Sequence, residues 1–352
     1  MNEYIRKKTR KIYYGSVGVG GDSAITVQSM TNTDTRDVHK TINQIKELEK
    51  ARCDIIRVAV PNLEAAEAVK HIKKSINIPL IADIHFDYRL ALESVKNGVD
   101  GLRINPGNIG SIDKVKEVVK ACKERKIPIR IGVNSGSISK AYLEKFGGVN
   151  VKSMVESALE HINTLRDMDY HDMVISLKAT DVYTTVNAYK SISEIVDYPL
   201  HIGITEAGTQ WAGTIKSSIG IGSILLMGIG DTIRVSLTGE PLEEVKVGKQ
   251  ILRSIGMLRD KIEIISCPTC GRTEIDLISL AKEVEKRVEN IDKPIKIAIM
   301  GCIVNGPGEA READLGIAGG RGNGIIFKKG KVLKKVKEGK LIDEFMKEIN
   351  KL

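Results

Sequence analysis

The sequence has few aromatic residues, no long unbroken apolar run and an odd number of cysteines. Phe, Trp and Tyr make up only 4% of the 352 residues, which argues against a surface built to stack nucleic-acid bases. The longest apolar tract, 219–229, is interrupted by glycines and is too short to span a bilayer. Five cysteines fit a disulfide framework poorly. The N-terminal segment MNEYIRKKTRKIYYG is basic but lacks the apolar core of a signal peptide, so we expect a cytoplasmic protein.

The composition that is present indicates a basic, core-forming chain. Hydrophobic residues make up 42%, enough to bury a sizeable core, and the length suits one large domain followed by a smaller one. Lys and Arg outnumber Asp and Glu by 54 to 45, giving a net charge of +9. That charge suits a nucleic acid, an anionic small molecule or an acidic partner protein, and composition does not choose among them.

Eight short β-rich runs, most of them followed by a helical pattern, occupy the first three quarters of the chain. Most of their starts are separated by the length of one βα unit. Eight such units predict a closed (β/α)8 TIM-type barrel over residues 1–257, with a doubly wound open sheet as the structural rival. The runs are Ala24–Met30, Asp54–Val60, Leu80–Ile84, Gly101–Asn105, Ile129–Asn134, Met173–Ala179, His201–Thr205 and Thr232–Leu237.

A different pattern begins after Gly256 and predicts a small α+β domain over residues 261–352. Pro241 is expected to open the eighth barrel helix and Gly256 to close it. The predicted elements that follow are a strand at Glu263–Ser266, a helix at Ile275–Asn290, strands at Ile295–Met300, Leu315–Ala318, Gly324–Phe327 and Val332–Val336, and a helix at Lys340–Lys351. Lys329-Gly330 predicts the turn of a hairpin.

Three of the five cysteines lie in the small domain and form a candidate metal centre. Cys267-Pro-Thr-Cys270 follows one predicted strand and Cys302 follows another, so two strand ends can present three thiolates at one edge. The loop after Cys302 is rich in glycine and proline and ends at Glu309, a candidate fourth ligand. A redox dithiol and a zinc site are the alternatives, but a zinc ribbon normally has a second CxxC. Three thiolates favour a 4Fe–4S cluster with one distinctive iron.

Cys53 and Cys122 have a different setting. One precedes a strand and the other lies in an amphipathic helix, so we interpret both as buried apolar residues without chemistry.

Five predicted barrel strands carry a cation inside or at the end of an apolar run. In a βα barrel the C-terminal strand ends converge on the active face, so these cations predict an anion site, and Arg favours phosphate. Interior salt bridges to Asp83 and Glu206 are the alternative, but the cations outnumber these two carboxylates. The cations are Arg57, Arg103, Arg130, Lys178 and Arg234.

Other polar residues are predicted at the same level of the barrel. They are Asp83, His85, Asn105, Asn134, Ser176, Glu206 and Ser236. Glu206 is the candidate proton donor. For His85 we favour a satisfied core histidine over a ligand, and we interpret His39, His71 and His161 as helix-surface residues.

Several motifs resemble those of one enzyme family. SCPTCGRTE and GCIVNGPGEAREADLGIAGG are the most specific, and QSMTNTDT, IADIHFDYRLA, GLRINPGN, IRIGVNSGS and GITEAG match the same family. The family is the bacterial, two-domain 4-hydroxy-3-methylbut-2-enyl diphosphate synthases of the methylerythritol phosphate route to isoprenoids. The resemblance spans nearly the whole chain, without room for the inserted domain of plant-like members.

The resemblance implies an oxidoreductase that opens the ring of 2-C-methyl-D-erythritol 2,4-cyclodiphosphate reductively, with loss of water. It implies a 4Fe–4S cluster held by Cys267, Cys270, Cys302 and Glu309, with Glu206 as general acid. It also implies flavodoxin or ferredoxin as electron donor, and a head-to-tail homodimer in which one cluster domain closes over the partner's barrel. The implied substrate-binding residues are Arg57, Asp83, Arg103, Asn105, Arg130, Asn134, Lys178 and Ser236.

Two other functions are compatible with parts of the pattern. One is a non-redox, phosphate-handling barrel enzyme with a structural zinc module, in which Lys178 forms a Schiff base. The other is a nucleic-acid-binding protein, suggested by the charge and the CxxC. The scarcity of aromatics and the placement of cations inside strands oppose it, and we expect neither nucleic acid nor membrane as a partner.

Overall fold

The computed structural model describes residues 5–303, 306–320 and 322–352. Its contacts divide the chain into two compact units, Met1–Met257 and Leu258–Leu352. None of the helices in these described stretches combines the length and apolar character needed to cross a membrane.

A short hairpin, which the sequence patterns did not predict, precedes the barrel. Its strands are β1 (Ile12–Tyr14) and β2 (Val17–Val19), paired antiparallel. Tyr14 is fully buried and packs with Ile55 and Val174, which lie near the starts of two barrel strands. The hairpin therefore closes the end of the barrel opposite the C-terminal strand ends.

Eight parallel strands form the first unit, which confirms the predicted (β/α)8 barrel. Barrel strands one to six pair in chain order, the eighth pairs with the first, and the seventh pairs with the eighth. A single bridge between Ile175 and Leu200 joins the sixth strand to the seventh and closes the barrel. The strands are β3 (Thr26–Met30), β4 (Ile55–Ala59), β5 (Leu80–Asp83), β6 (Gly101–Ile104), β7 (Ile129–Asn134), β8 (Met173–Lys178), β9 (His201–Ile202) and β10 (Thr232–Ile233).

The last two barrel strands are shorter than predicted. The predicted runs His201–Thr205 and Thr232–Leu237 keep ladder pairing over only two residues each. Only one isolated bridge joins β8 to the segment of β9 in the described residues, so few backbone hydrogen bonds from that side lengthen β9. Beyond Ile202, Gly203 brings bare backbone close to its neighbours: an added Cβ would lie 2.4 Å from the carbonyl oxygen of Arg234.

Helices cover the outside of the barrel and begin at recognisable capping residues. Asp37 accepts a hydrogen bond from the backbone N–H of Lys40 at the start of the first helix, and Pro241 opens the last one as predicted. The helices are α1 (Val38–Lys50), α2 (Leu63–Ser75), α3 (Tyr88–Lys96), α4 (Ile112–Arg125), α5 (Lys140–Phe146), α6 (Val151–Arg166), α7 (Val182–Ile195), α8 (Gln210–Leu226) and α9 (Pro241–Ser254).

The second unit is an α+β domain, as predicted. A mixed sheet with strands in chain order carries helices on one face and a short helix on the other. Its elements are β11 (Glu263–Ser266), α10 (Leu277–Val288), β12 (Lys296–Met300), α11 (Gly306–Glu309), β13 (Leu315–Gly320), β14 (Asn323–Lys328), β15 (Lys331–Lys337) and α12 (Leu341–Asn350). Lys329 and Gly330 both have positive φ and form the predicted hairpin turn.

Candidate active site

Strand alternation directs five cations into the barrel interior. Successive side chains of a strand point to opposite faces of the sheet. If the two apolar neighbours of a cation pack against the outer helices, the cation therefore points into the barrel. Register places Arg103 opposite Arg130, and Asn134 opposite Lys178. Arg130 is only 2% exposed, and Arg57, Arg103, Lys178 and Arg234 are also largely or fully buried.

Asp83 joins two of these cations. Its carboxylate oxygens lie 3.6 Å from Nε of Arg57 and 3.2 Å from Nη1 of Arg103. Burial alone would raise the pKa of Asp83, but Arg57, His85 and Arg103 outweigh burial and hold that pKa well below its usual range. Asp83 is therefore an anion that fixes the two guanidinium groups.

Arg234 is paired by a carboxylate that the sequence patterns did not identify. Glu244, in the first turn of α9, lies 3.3 Å from Nη2 of Arg234. The same carboxylate accepts hydrogen bonds from the Ser29 hydroxyl at 3.2 Å and from the backbone N–H of Leu237 at 3.0 Å. The sequence patterns offered only Asp83 and Glu206 as alternative interior partners for the cations. A glutamate in the first turn of a helix is usually interpreted as a capping charge, so the pattern concealed this role.

The remaining two cations have no carboxylate partner in the described part of the chain. Arg130 donates from Nη1 to the side-chain oxygen of Gln28 at 2.9 Å. Burial lowers the pKa of Arg130 to about 10, with Arg103 and Arg234 adding to the effect. Burial also lowers the pKa of Lys178 well below its usual range, and the positive charge of Arg130, Arg234, Arg57 and Arg103 acts in the same direction. An anion is the partner that this arrangement lacks.

The other predicted pocket residues lie at the C-terminal ends of the strands, with different exposures. Asn105 is buried, and its side-chain oxygen accepts from the backbone N–H of Gly107 at 3.1 Å. Asn134 and Ser236 are half-buried. Ser176 is buried one layer deeper, on β8.

Glu206 has the most unusual backbone among the site candidates. It is exposed, and its φ of +51° is in the left-handed region that non-glycine residues rarely adopt. The Thr180 hydroxyl donates to its carboxylate at 3.2 Å, which links the ends of β8 and β9. Strained conformations of this kind are concentrated at functional sites.

Two interpretations of histidines were wrong. His85, expected in the core, is 57% exposed, and its ring lies 3.5 Å from Asp83 because it follows the end of β5. His161, expected at a helix surface, is buried against Gly107, and burial lowers its pKa. His39 and His71 are exposed as predicted.

One buried histidine was missed. His201 on β9 is fully buried, and neither ring nitrogen has a hydrogen-bond partner in the described residues. Burial and the charges of Lys178 and Arg130 lower its pKa well below the usual range, so the ring is neutral. The sequence signal that could have indicated this burial was its position as the first residue of a predicted barrel strand.

The second unit brings two of its three cysteines to neighbouring strand ends. Ser266 pairs with Ile299, so Cys267 lies just beyond β11 and Cys302 two residues beyond β12. The backbone N–H of Gly301 donates to the sulfur of Cys267 at 3.2 Å. The CxxC loop is tied to the same strand end, because the backbone N–H of Glu274 donates to the carbonyl oxygen of Gly301 at 3.1 Å.

Gly306, the first residue of α11, lies close to the sheet. An added Cβ on Gly306 would lie 2.7 Å from Cβ of Met300 and 3.2 Å from Cβ of Ala318, so only glycine allows this approach. Glu309 is exposed at the end of α11. No three His, Cys, Asp or Glu side chains among the described residues converge as ligands of a single metal ion. The donor set and the N–H aimed at sulfur fit a thiolate-held cluster.

Cys53 and Cys122 are buried, as predicted, and form no disulfide. Burial raises the pKa of each thiol to about 12, so both remain protonated.

Solved structures with a similar fold support the barrel alone. The dihydropteroate synthase of Yersinia pestis aligns with a TM-score of 0.50 and 11% identity over 69% of this chain and 98% of that chain. A truncated 3-deoxy-D-arabino-heptulosonate 7-phosphate synthase of Thermotoga maritima gives the same TM-score, with 9% identity over 70% of this chain and 91% of that chain.

Sequence relatives cover both units. The GcpE TIM-barrel domain matches residues 9–249, and the GcpE protein C-terminal domain matches residues 263–351. A relative in Clostridium perfringens is 62% identical over 97% of this chain and 98% of its own length, and one in Clostridium acetobutylicum is 62% identical over 99% of both. A relative in Geobacillus thermodenitrificans is 56% identical over 100% of this chain and 94% of its own length.

All three relatives are named 4-hydroxy-3-methylbut-2-en-1-yl diphosphate synthase (flavodoxin). The resemblance seen in the motifs is thereby confirmed. The chain belongs to the GcpE family of 4-hydroxy-3-methylbut-2-en-1-yl diphosphate synthases.

Proposed function

We propose that this enzyme converts 2-C-methyl-D-erythritol 2,4-cyclodiphosphate to 4-hydroxy-3-methylbut-2-enyl diphosphate. With substrate and product written as acids, two electrons and two protons enter, the ring C–O bond breaks, and one water leaves. The observation that carries the proposal is the set of five largely buried barrel cations, which have only two carboxylate partners among the described residues, Asp83 and Glu244. A diphosphate supplies the missing negative charge.

The barrel residues divide into binding and proton-transfer groups. Arg130 and Lys178, which lack carboxylate partners in the described residues, bind the diphosphate together with Arg57 and Arg103, whose positions Asp83 fixes. Bidentate guanidinium contacts hold the charge that develops when the ring opens. Asn105, Asn134 and Ser236 line the remainder of the pocket.

Glu206 is the proposed general acid. It is exposed beyond the end of β9, and the Thr180 hydroxyl holds one of its oxygens. It delivers a proton to the oxygen that leaves as water.

In the second unit, Cys267, Cys270, Cys302 and Glu309 would hold a 4Fe–4S cluster, which supplies electrons one at a time when bound. Two observations support this ligand set: Cys267 and Cys302 follow neighbouring strands, and Gly306, three residues before Glu309, lies close to Met300 and Ala318 of the sheet. Flavodoxin, named for the relatives, is the proposed electron donor, and ferredoxin is the alternative.

A head-to-tail homodimer is proposed in addition. Helix α8 supports self-association, because Lys216 is the only charged residue in its 17 residues. Trp211 is 80% exposed on that helix, and Ile215, Ile219 and Leu226 are exposed with it. A contiguous apolar face of this kind marks an interface.

Anaerobic purification and assay test the function. We expect a brown protein with about four iron atoms per chain that converts the cyclodiphosphate when supplied with a strong one-electron chemical reductant. A colourless zinc protein, or an iron-loaded protein without turnover, would contradict the proposal.

A further inference from the structure

The second unit carries a strongly basic hairpin whose charge the proposed site does not use. Residues 322–337 contain six lysines and no carboxylate. Lys334 is paired with Glu344 and Glu348 of α12, at 2.6 and 3.0 Å. The other five lysines are exposed and form no ion pair in the described residues; these five, named the basic hairpin, are Lys328, Lys329, Lys331, Lys335 and Lys337.

The turn of this hairpin contacts the segment that holds Glu309. An added Cβ on Gly330 would lie 3.2 Å from Cγ of Arg311 and 3.3 Å from the carbonyl oxygen of Pro307. Arg311 is exposed and adds a further cation beside the turn. The basic hairpin is therefore adjacent to one of the proposed cluster ligands.

The hairpin also presents charge on the face where α11 lies. Ile325 and Phe327 of β14 pack in one cluster with Ala310, which directly follows α11. Register places Lys335 opposite Ile325, and directly opposed residues of an antiparallel pair share a face. Lys337, two residues further along β15, points the same way.

Two exposed apolar residues lie among the lysines. Val332 is 56% exposed and Leu333 is 50% exposed. Leu333 has no partner in the register between β14 and β15, because a bulge shifts the pairing there. Lysines alone are a common way to protect an edge strand from aggregation. That protection does not account for an exposed apolar pair in the middle of the strand.

We propose that the basic hairpin, with Val332 and Leu333 at its centre, is the docking surface for an acidic electron-donor protein of the flavodoxin class. The inference rests on the proposed function. Opposite charge steers encounter, and a small apolar centre suits the short-lived contact of a redox pair. Each encounter oxidises one donor molecule by one electron, so two encounters supply the two electrons of the reaction.

The CxxC loop is less suitable for such a partner. The cleft beside it is lined by Arg272 together with Asp276 and Glu338. Carboxylates outnumber cations there, so an acidic protein would be repelled. The basic hairpin is therefore the favoured entry for this class of donor.

The test compares two triple charge reversals with the same change in net charge. One is Lys329→Glu/Lys335→Glu/Lys337→Glu on the basic hairpin. The control is Lys70→Glu/Lys74→Glu/Lys120→Glu on α2 and α4, where all three lysines are exposed. Circular dichroism and cluster absorbance verify that both triple variants fold. A milder comparison sets the single charge reversal Lys335→Glu against Lys335→Arg, which keeps the charge.

At low ionic strength the hairpin variant should bind flavodoxin roughly tenfold or more weakly by calorimetry. The control should stay within about twofold, and the difference should shrink at high salt because the interaction is electrostatic. Lys335→Arg should bind as the wild type does. Turnover with the chemical reductant should be unchanged in the hairpin variant.

Equal weakening in both triple variants, or unchanged binding in the hairpin variant, would overturn the docking surface. Failure of the proposed function looks different: the wild type itself would not turn over the cyclodiphosphate with the chemical reductant. Flavodoxin affinity is measured without turnover, so the two failures are distinguishable.

Discussion

At the scale of single residues, the five cations of the barrel are not equivalent. Asp83 fixes Arg57 and Arg103, and Glu244 fixes Arg234. Arg130 has only the neutral Gln28 side chain, and Lys178 has no ion pair in the described residues. An ammonium group loses its proton more readily than a guanidinium group when it is buried. Lys178 is therefore the cation whose charge responds to ligand binding.

Binding of a diphosphate should take up a proton on Lys178. Burial and the surrounding cations hold its pKa well below the usual range, and a bound anion raises that pKa. Affinity should therefore rise as pH falls from the bound-state pKa towards the lower unbound value. Calorimetry at one pH in two buffers of different ionisation enthalpy measures this uptake. Equal apparent enthalpies in the two buffers would contradict it.

Replacing Lys178 should separate stability from binding. A basic group whose pKa falls on folding binds fewer protons in the folded state, so its unfavourable contribution grows as pH falls below about 10.4. We expect Lys178→Met to stabilise the protein at pH 7 by roughly 1 kcal/mol or more and to weaken substrate binding. Thermal unfolding at pH 7 and pH 10 provides the check, since the gain should be smaller at pH 10.

Glu206→Gln should retain substrate affinity and lose most turnover. The amide keeps the size and the hydrogen-bonding oxygen that Thr180 contacts, but it cannot donate a carboxylic proton. Loss of a general acid typically costs about 100-fold or more in rate. Single-turnover kinetics with chemically reduced enzyme measure the step, and a near-normal rate would remove Glu206 from this role.

At the scale of elements, a glycine on β7 makes room for one of the cations. An added Cβ on Gly132 would lie 2.6 Å from Nε of Arg103 and 2.9 Å from its Nη2. Asp83 and the carbonyl oxygen of Gly132 hold that guanidinium, so it cannot move without losing partners. The strand therefore determines where the cation lies.

Gly132→Ala should displace Arg103 and weaken substrate binding by roughly tenfold, because the displaced guanidinium loses a charge-assisted hydrogen bond to the diphosphate. Gly136→Ala is the matched control just beyond the same strand, where an added Cβ meets no atom within 4 Å. We expect the control to bind as the wild type does. Equal affinities for the two variants, measured by calorimetry, would show that the arginine accommodates the methyl group.

Elements with a strong local signal were predictable from sequence, whereas contacts between distant elements were not. Helices α1 and α2 follow β-rich runs, as the helical patterning predicted, because an apolar stripe and a capping Asp or Asn define each. The hairpin β1–β2 was missed because each strand has only three residues. The Glu244–Arg234 pair joins a helix to a strand end, so neither local pattern contained it.

At the scale of the whole molecule, the proposed chemistry is divided between two compact units. The diphosphate cations lie in Met1–Met257 and the cysteines in Leu258–Leu352. Substrate bound in the barrel can meet the redox group of the same chain or that of a partner copy. The proposed head-to-tail homodimer requires the second arrangement.

Mixing two inactive variants distinguishes these arrangements. Glu206→Gln disables the barrel of its own chain and Cys302→Ser disables the cysteine site of its own chain. In a head-to-tail dimer, a mixed pair joins one intact barrel to one intact cysteine site. Random exchange at equal amounts makes about half of the dimers mixed, each with one working site. We therefore expect about a quarter of wild-type turnover after subunit exchange, well above the small residual turnover of either variant alone. Mixing Cys302→Ser with Cys267→Ser is the control and should remain inactive, because both variants disable the same unit. If the first mixture also remains inactive although mass measurements show exchanged dimers, each chain works with its own two units.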